Sequence, residues 1–135
     1  MSALASFARL AVPLVLVLAS CDDAGAAKDP VWGKQACGSC AMLVSEPRYA
    51  AELTTNDGTR VFFDDPGCMA AWIAERHPSV HSMWVRDDVG HWVDAKSARF
   101  SGGATTPMDY GFAATTSGTA TWADVEAAAK ARGAK

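Results

Sequence analysis

The sequence predicts a small α+β domain made of two ββα-type units, and three observations indicate it. The spacing of apolar residues changes from the period of a strand to that of a helix in each half of the chain. Two segments rich in Asn, Asp and Gly, at residues 56–58 and 87–90, have the composition of hairpin turns. A helix-start signal follows each hairpin. No close internal repeat accompanies this similarity between the halves.

Strands are predicted in the first half from short apolar runs. Residues 49–54 and 60–64 lie on either side of Asn56-Asp57-Gly58, so we expect them to form an antiparallel hairpin. Residues 40–44 form another apolar run, which we also expect to be extended.

The first helix is predicted over residues 66–76. Asp65 has the residue type of an N-cap, and Pro66 suits the first helical position. Long and apolar side chains then recur at helical spacing until Pro78 ends the pattern. These side chains are Met69, Trp72, Ile73 and Arg76.

The second half repeats the order of strands and helix. Residues 83–86 and 91–94 flank the second turn, and residues 109–115 are predicted as a further strand. Thr121 and Asp124 have the spacing of a capping box, which predicts a C-terminal helix to about residue 132. Gly133 then suits the position just past the helix end.

Composition and charge exclude some function classes. The chain has 135 residues, of which half are apolar and a fifth charged, as expected for one soluble domain. Its formal net charge is -3, and it has no run of Lys or Arg interleaved with aromatic residues. Nucleic acid is therefore not expected as a partner.

The N-terminus has the organisation of an export signal. An apolar run over residues 10–18 follows Arg9 and is too short for a membrane-spanning helix, which needs about 20 residues. The run ends in Leu18-Ala19-Ser20-Cys21, which resembles the lipobox of bacterial lipoproteins. We expect a signal peptide over residues 1–20 and lipidation of Cys21. Asp22 resembles the signal that retains some lipoproteins in the inner membrane of Gram-negative bacteria.

The mature chain is expected to have three parts. Residues 21–31 are small and polar and include a proline, which is typical of a flexible tether. Residues 32–115 are expected to form the folded domain. Residues 116–135 begin as a Thr-, Ser- and Gly-rich linker and end in the predicted helix.

The number of cysteines indicates a metal or redox role. If Cys21 is lipidated, Cys37, Cys40 and Cys68 remain in a compartment where paired thiols are normally oxidised. An odd number leaves at least one thiol unpaired. Such a thiol is a liability unless it is buried or holds a ligand.

A soft-metal site is predicted from cysteine and methionine sulfur. If residues 40–44 are extended, the side chains of Cys40 and Met42 project to the same face. Thiolate with thioether favours Cu(I), whereas Zn(II) prefers cysteine with imidazole or carboxylate. Met108 lies in a polar loop, so we expect it to supply a third sulfur. Met69 and Met83 are assigned to the core.

The other two cysteines have several possible roles. Cys68 is near the start of the predicted helix, where the N–H groups favour a thiolate and hence ligation or reactivity. A small buried residue is the alternative for Cys68. Cys37 can ligate the metal, pair with Cys40, or pair with Cys68, and the sequence leaves these options open.

Four motifs occur in a fixed order along residues 37–114. They are Cys40-Ala41-Met42, Phe63-Asp64-Asp65-Pro66-Gly67-Cys68-Met69, Trp92-Val93-Asp94-Ala95 with Ala98, and Thr106-Pro107-Met108-Asp109-Tyr110-Gly111-Phe112. Together with the lipoprotein start they resemble the NosL family, the accessory lipoproteins of nitrous oxide reductase. The chain departs from the family pattern at Ala41 and Asp109, where glycine is usual.

The resemblance implies a copper chaperone of denitrification, anchored to the periplasmic face of the inner membrane. Such a protein supplies Cu(I) for the copper centres of nitrous oxide reductase and works with an ABC-type transporter complex. The family's copper ligands fall on Cys40, Met42 and Met108. The resemblance also implies two ββα-containing halves, similar to the fold of organomercurial lyases.

Two other functions stay open. Cys37-Gly38-Ser39-Cys40 has the spacing of a thiol–disulfide oxidoreductase motif, but the residues after Cys40 are more typical of a strand than of the helix such motifs begin. An organomercurial-cleaving enzyme requires an acid placed between two thiols. The copper hypothesis predicts neither activity, and so no enzyme.

The remaining polar candidates have simpler explanations. The acidic pairs Asp64-Asp65 and Asp87-Asp88 are explained by helix capping and turn formation. The three histidines are expected to be exposed; they are His77, His81 and His91.

Overall fold

Residues 25–133 are described by the computed structural model and form an α+β domain with two helices and antiparallel sheets, which confirms the α+β part of the predicted fold. The expected signal peptide, residues 1–20, and the expected lipidation site, Cys21, lie outside the described residues. Within residues 25–133, no helix has the length and apolar character needed to cross a membrane.

The main sheet has four antiparallel strands, which are β1 (Ala51–Thr55), β2 (Arg60–Phe63), β3 (Val80–Arg86) and β4 (Trp92–Asp94). Their order across the sheet is β2-β1-β3-β4. Both predicted hairpins are present. Gly58 and Gly90 have φ angles of 86° and 88° in the two turns, a region that glycine adopts at little cost.

The two helices begin where the sequence predicts. Helix α1 spans Pro66–Arg76, and its N-cap Asp65 accepts a hydrogen bond from the Gly67 N–H at 2.8 Å. Helix α2 spans Trp122–Ala131. The carboxylate of Asp124 accepts from the Thr121 N–H at 2.7 Å, which confirms the capping box.

The strand predicted over residues 40–44 is wrong. Only Leu43 pairs there, in an isolated bridge with Ala36. Ala41 has a φ of 63°, which turns the chain and ends the alternation of side chains. The argument that Cys40 and Met42 share a strand face therefore does not hold.

The strand predicted over residues 109–115 is much shorter in the structure. Asp109 and Gly111 have φ angles of 58° and 84°, so an extended chain begins only after them. The remaining strand β6 (Ala113–Ala114) pairs with β5 (Phe100–Ser101), which the sequence did not predict.

One hydrophobic core joins the main sheet to both helices. Helix α2 packs against α1 and supplies Trp122 and Val125 to this core. Met69 and Met83 are buried, as predicted. The larger buried side chains are Val44, Leu53, Phe63, Met69, Met83, Val85, Phe100, Trp122 and Val125.

The segment 25–31, for which the sequence predicts a tether, lies against the sheet. The Trp84 Nε1–H on β3 donates to the Gly25 carbonyl at 3.0 Å. The Lys28 N–H donates to the buried carboxylate of Glu52 on β1 at 2.6 Å. These contacts attach the start of the described chain to the domain.

Candidate metal centre

Three cysteines and one aspartate converge in the structure. The ligand atoms of Cys37, Cys40, Asp64 and Cys68 all lie within 4.8 Å of one another. Cys37, Asp64 and Cys68 are only 3%, 2% and 1% exposed, whereas Cys40 is partly exposed. Cys40 is therefore the most accessible member of this cluster, which we call the thiol cluster.

A tight loop places the first two cysteines. The Cys37 N–H donates to the Met42 carbonyl at 2.7 Å, and the Ala41 N–H donates to the Cys37 carbonyl at 3.1 Å. The left-handed conformation of Ala41 closes this loop. Cys37 and Cys40 are thereby presented on one turn rather than along a strand.

The same loop is attached to strand β2. The Gly38 N–H donates to the Phe62 carbonyl at 2.8 Å. A Cβ atom at Gly38 would lie only 2.3 Å from Cγ1 of Val61, so this close approach to the strand requires glycine. The contact holds the first two cysteines beside the end of β2.

The other two members of the thiol cluster follow β2 directly. Asp65 caps helix α1, and Cys68 lies in the first turn of that helix. Asp64 does not cap the helix; its carboxylate accepts from the Cys40 thiol at 3.5 Å (Oδ1) and 3.4 Å (Oδ2). The prediction that capping explains both acids is correct for Asp65 and wrong for Asp64. Because a helix has only one N-cap residue, the presence of a second acid beside Asp65 was the sequence signal that Asp64 has another role.

The hydrogen bond between the Cys37 and Cys68 thiols separates their acidities. This bond lowers the pKa of Cys37 to about 6, with further help from backbone hydrogen bonds at Cys40, Asp64 and Ser39 and against the effect of burial. The same bond, together with burial, raises the pKa of Cys68. Near neutral pH, the structure favours a thiolate on Cys37 and a proton on Cys68.

The acidity of Cys40 is reduced by its surroundings. Burial of the sulfur, although part of the side chain is exposed, raises the pKa of Cys40 to about 12. A hydrogen bond with Cys37, the negative charge of Cys37 and the hydrogen bond to Asp64 act in the same direction, and a backbone hydrogen bond from Met42 opposes them. The Cys40 proton is therefore held between its sulfur and the Asp64 carboxylate.

These four donors can hold a metal ion at one point. Thiolates are the metal-binding form of cysteine, so a bound cation would replace the two thiol protons. Three sulfurs and one oxygen favour a soft or borderline metal over a hard one such as Mg²⁺.

The two methionines predicted as ligands lie on neighbouring loops. Met42 belongs to the loop of Cys37 and Cys40, and its side chain is 54% exposed. Met108 is partly buried and packs against the core. The Met108 N–H donates to Asp65 Oδ2 at 3.1 Å, which places this loop beside the start of α1. The structure thus brings the three predicted cysteine ligands together. Met42 is on the loop that carries Cys37 and Cys40, and the loop of Met108 lies beside the start of α1, which carries Cys68.

The Met108 loop is fixed from two sides. Thr106 donates its hydroxyl to Asp65 Oδ2 at 2.5 Å, so the N-cap carboxylate also secures this loop. Arg132, just after α2, donates to the Met108 carbonyl at 2.6 Å and to the Asp109 carbonyl. Its guanidinium also lies 4.4 Å from the centroid of the Tyr110 ring.

The histidines play no part in the thiol cluster. All three are exposed, as expected, and none belongs to the group of metal-binding side chains found within residues 25–133; they are His77, His81 and His91.

Comparison of the chain with protein-family models, with curated proteins and with solved structures finds no match. The class of protein is therefore defined by the fold and the site. It is a small α+β domain with a thiol-rich group that can bind a metal.

Proposed function

We propose that this protein is a periplasmic copper chaperone, anchored to the inner membrane through Cys21, that binds Cu(I) through cysteine and methionine sulfur. The observation that carries the proposal is the convergence of three thiols on a cluster whose accessible member is Cys40. Its proposed partners, nitrous oxide reductase and the associated ABC-type transporter complex, rest on the resemblance to the NosL family.

The three sulfurs of the thiol cluster support Cu(I) as the cargo, whereas Asp64 would favour Zn(II) if it were a ligand. Cu(I) is soft and binds thiolate and thioether sulfur, and a third donor type is not needed. The hard carboxylate of Asp64 is a poor ligand for Cu(I). In this proposal Asp64 accepts the proton that Cys40 gives up when copper binds, because the Cys40 thiol already donates to it.

Exposure supports release as well as capture. Cys40 and Met42 are the accessible sulfurs of the loop, whereas Cys37 and Cys68 are buried. An acceptor can approach the exposed side and replace one sulfur at a time. Thioethers assist such exchange because they are neutral and need no deprotonation.

The order of elements supports the proposed family fold. Strands β1 and β2 precede α1, and strands β3 and β4 with the β5–β6 pair precede α2. This order is compatible with two ββα-type halves of the kind found in NosL proteins and organomercurial lyases.

The function is tested by anaerobic titration of the purified protein with Cu(I) against a competing chelator. We expect one tightly bound Cu(I), and an increase of about tenfold or more in the dissociation constant for Cys40→Ser, Met42→Leu and Met108→Leu. Met83→Leu is the matched control. It makes the same Met-to-Leu change at a core position, where the swap lowers the free energy of unfolding by less than about 1.5 kcal/mol. Because Met83 is not a proposed ligand, copper affinity is expected to be unchanged.

Two results would contradict the proposal. One is binding of less than one Cu(I) per chain. The other is an affinity that stays the same in all three sulfur variants.

The thiol–disulfide oxidoreductase alternative receives less support. The first cysteine of its motif, Cys37, is 3% exposed, whereas an attacking thiol must reach the disulfide of a partner. The motif lies on a turn rather than at a helix N-terminus. Reduction of a model disulfide by the purified protein would favour this alternative.

Cleavage of organomercurials is a second candidate, favoured by the position of Asp64. An acid beside several thiols has the geometry that such chemistry needs. Cys40 would give its proton to Asp64, the Cys37 and Cys40 thiolates would take the mercury of R–Hg–X, and Asp64 would pass that proton to the carbon as the C–Hg bond breaks. R–H and X⁻ leave, and Hg(II) stays on the sulfurs. Incubation with phenylmercury and detection of benzene tests this activity, with Asp64→Asn as the control that abolishes it.

A further inference from the structure

The thiol cluster holds two buried cysteines, Cys37 and Cys68, whose sulfurs lie within 4.8 Å of each other. They are not among the copper ligands Cys40, Met42 and Met108 of the proposed function. We propose that the protein also reduces Cu(II) as it captures copper, with Cys37 and Cys68 as the two-electron donor. This inference rests on the proposed copper function and adds an activity to it.

The reaction balances with Cu(II) as the oxidant. Two Cu(II) ions with the Cys37 thiolate and the Cys68 thiol give two Cu(I) ions, one disulfide and one proton. The first Cu(II) takes one electron from the cysteine pair, and the second takes the other as the S–S bond forms. Soft sulfur ligands favour the reaction because they stabilise Cu(I) over Cu(II).

Position selects Cys37 and Cys68 as the oxidised pair. Their sulfurs lie within 4.8 Å of each other and share a hydrogen bond. A disulfide needs a sulfur separation of about 2.0 Å, which requires a modest approach of the Cys37 loop to helix α1. Cys40 also neighbours Cys37, but its thiol donates to both carboxylate oxygens of Asp64, which leaves Cys68 as the partner of Cys37.

The products fit a chaperone. Oxidation of the buried pair leaves Cys40, the exposed cysteine, together with Met42 on the same loop. One thiolate and one thioether can then retain a Cu(I) ion with an open side for transfer. Copper entering an oxidising compartment as Cu(II) would thus be converted to the form that the site holds. A dithiol reductant must restore the pair before a second round.

The test uses the full chain with Cys21→Ser, so that only the three clustered thiols remain. The protein is reduced, freed of reductant and mixed anaerobically with excess Cu(II) and a chelator that gives a colour only with Cu(I). We expect about two Cu(I) per chain and the loss of two thiols. Peptide mapping of this protein by mass spectrometry is expected to find the disulfide between Cys37 and Cys68.

Variants separate the roles of the three cysteines. Cys37→Ser and Cys68→Ser are expected to slow the reduction by about tenfold or more, whereas Cys40→Ser retains it and loses the bound Cu(I). Circular dichroism checks that each variant is folded. The peptide map is made on the protein that retains all three clustered cysteines, so it remains informative even if a variant fails to fold. A Cys37–Cys40 disulfide, or Cu(II) that stays oxidised, would overturn the inference.

A parallel addition of Cu(I) to the same protein separates this inference from the proposed function. If Cu(I) binds tightly but Cu(II) is not reduced, the reductase activity fails and the chaperone proposal stands. If Cu(I) does not bind, both fail.

Discussion

The Cys40 thiol donates to both carboxylate oxygens of Asp64, at 3.5 Å and 3.4 Å. This pair connects the Cys37–Cys40 turn to the segment between β2 and α1, and it contributes to the raised pKa of Cys40. Burial of the sulfur is the largest cause of that raised pKa and the carboxylate adds to it, so the accessible thiol stays protonated near neutral pH.

Asp64→Asn is expected to make Cys40 more reactive. An amide removes the negative charge and can donate to a thiolate, so the pKa of Cys40 should fall. Alkylation of Cys40 by iodoacetamide at pH 8, followed by peptide mass spectrometry, is expected to accelerate several-fold. Asp88→Asn changes an exposed aspartate outside the thiol cluster and is expected to leave the rate unaltered. An equal rate in both variants would contradict this role of Asp64.

Gly67→Ala is expected to disturb the contact between α1 and the Met108 loop. A Cβ atom there would lie 1.9 Å from Cγ of Tyr110, which is far inside van der Waals contact. We expect a loss of about 1–3 kcal/mol in the free energy of unfolding, measured with denaturant. In a Tyr110→Gly background, which removes both the Cγ at 1.9 Å and the Cβ at 2.4 Å, the same change is expected to cost much less. An unchanged cost in that background would show that the ring is not the obstacle.

Arg132→Ala is expected to loosen the Met108 loop with little effect on global stability. The side chain is exposed, so the free energy of unfolding should fall by less than about 1 kcal/mol. Its bonds to the carbonyls of Met108 and Asp109 are lost, however, and Cu(I) affinity is expected to decrease if Met108 is a ligand. The same competition titration measures this effect. Combining Arg132→Ala with Met108→Leu should then give no further decrease.

Glu52→Gln tests the pH dependence of the attachment between the 25–31 segment and the sheet. Glu52 is buried, accepts from the Lys28 N–H and pairs with Arg60, and burial raises its pKa above 4.5. Since the folded pKa exceeds the unfolded one, the stability linked to this proton is present below pH 4.5. It is lost as the pH rises through the folded pKa.

The measurement for Glu52 is a comparison of unfolding free energies. The advantage of the wild type over Glu52→Gln is expected to decrease between pH 4 and pH 7. An advantage that grows over this range would mean that the Arg60 contact outweighs burial.

The starts of both helices were predicted correctly because the capping residues near each start, and a proline at the start of α1, are visible in the sequence. The bounds of α1 follow from Asp65, Pro66 and Pro78, and the start of α2 follows from its capping box. The strand over residues 40–44 failed because its apolar run is interrupted by the left-handed backbone of Ala41. Residue type alone does not predict a positive φ at alanine, which is imposed by the hydrogen bonds of the loop.

The sequence predicted the three cysteines of the thiol cluster but not Asp64 or the way the four side chains are arranged. The three cysteines were identified by type and number, whereas the contact of Cys40 with Asp64 joins positions 24 residues apart. Such a contact depends on how the loop docks on β2 through Gly38, which no periodicity in the sequence encodes. Recognising that Asp64 is not a capping residue required knowing that Asp65 occupies the cap.

The bond between Trp84 and the Gly25 carbonyl limits how far the domain can stand from a bilayer. If Cys21 carries lipid, four residue steps separate the anchor from Gly25, and a chain of that length reaches at most about 14 Å. The domain would then rest close to the headgroups instead of ranging freely above them. A docking protein would have to meet it within the narrow aqueous layer at the membrane surface.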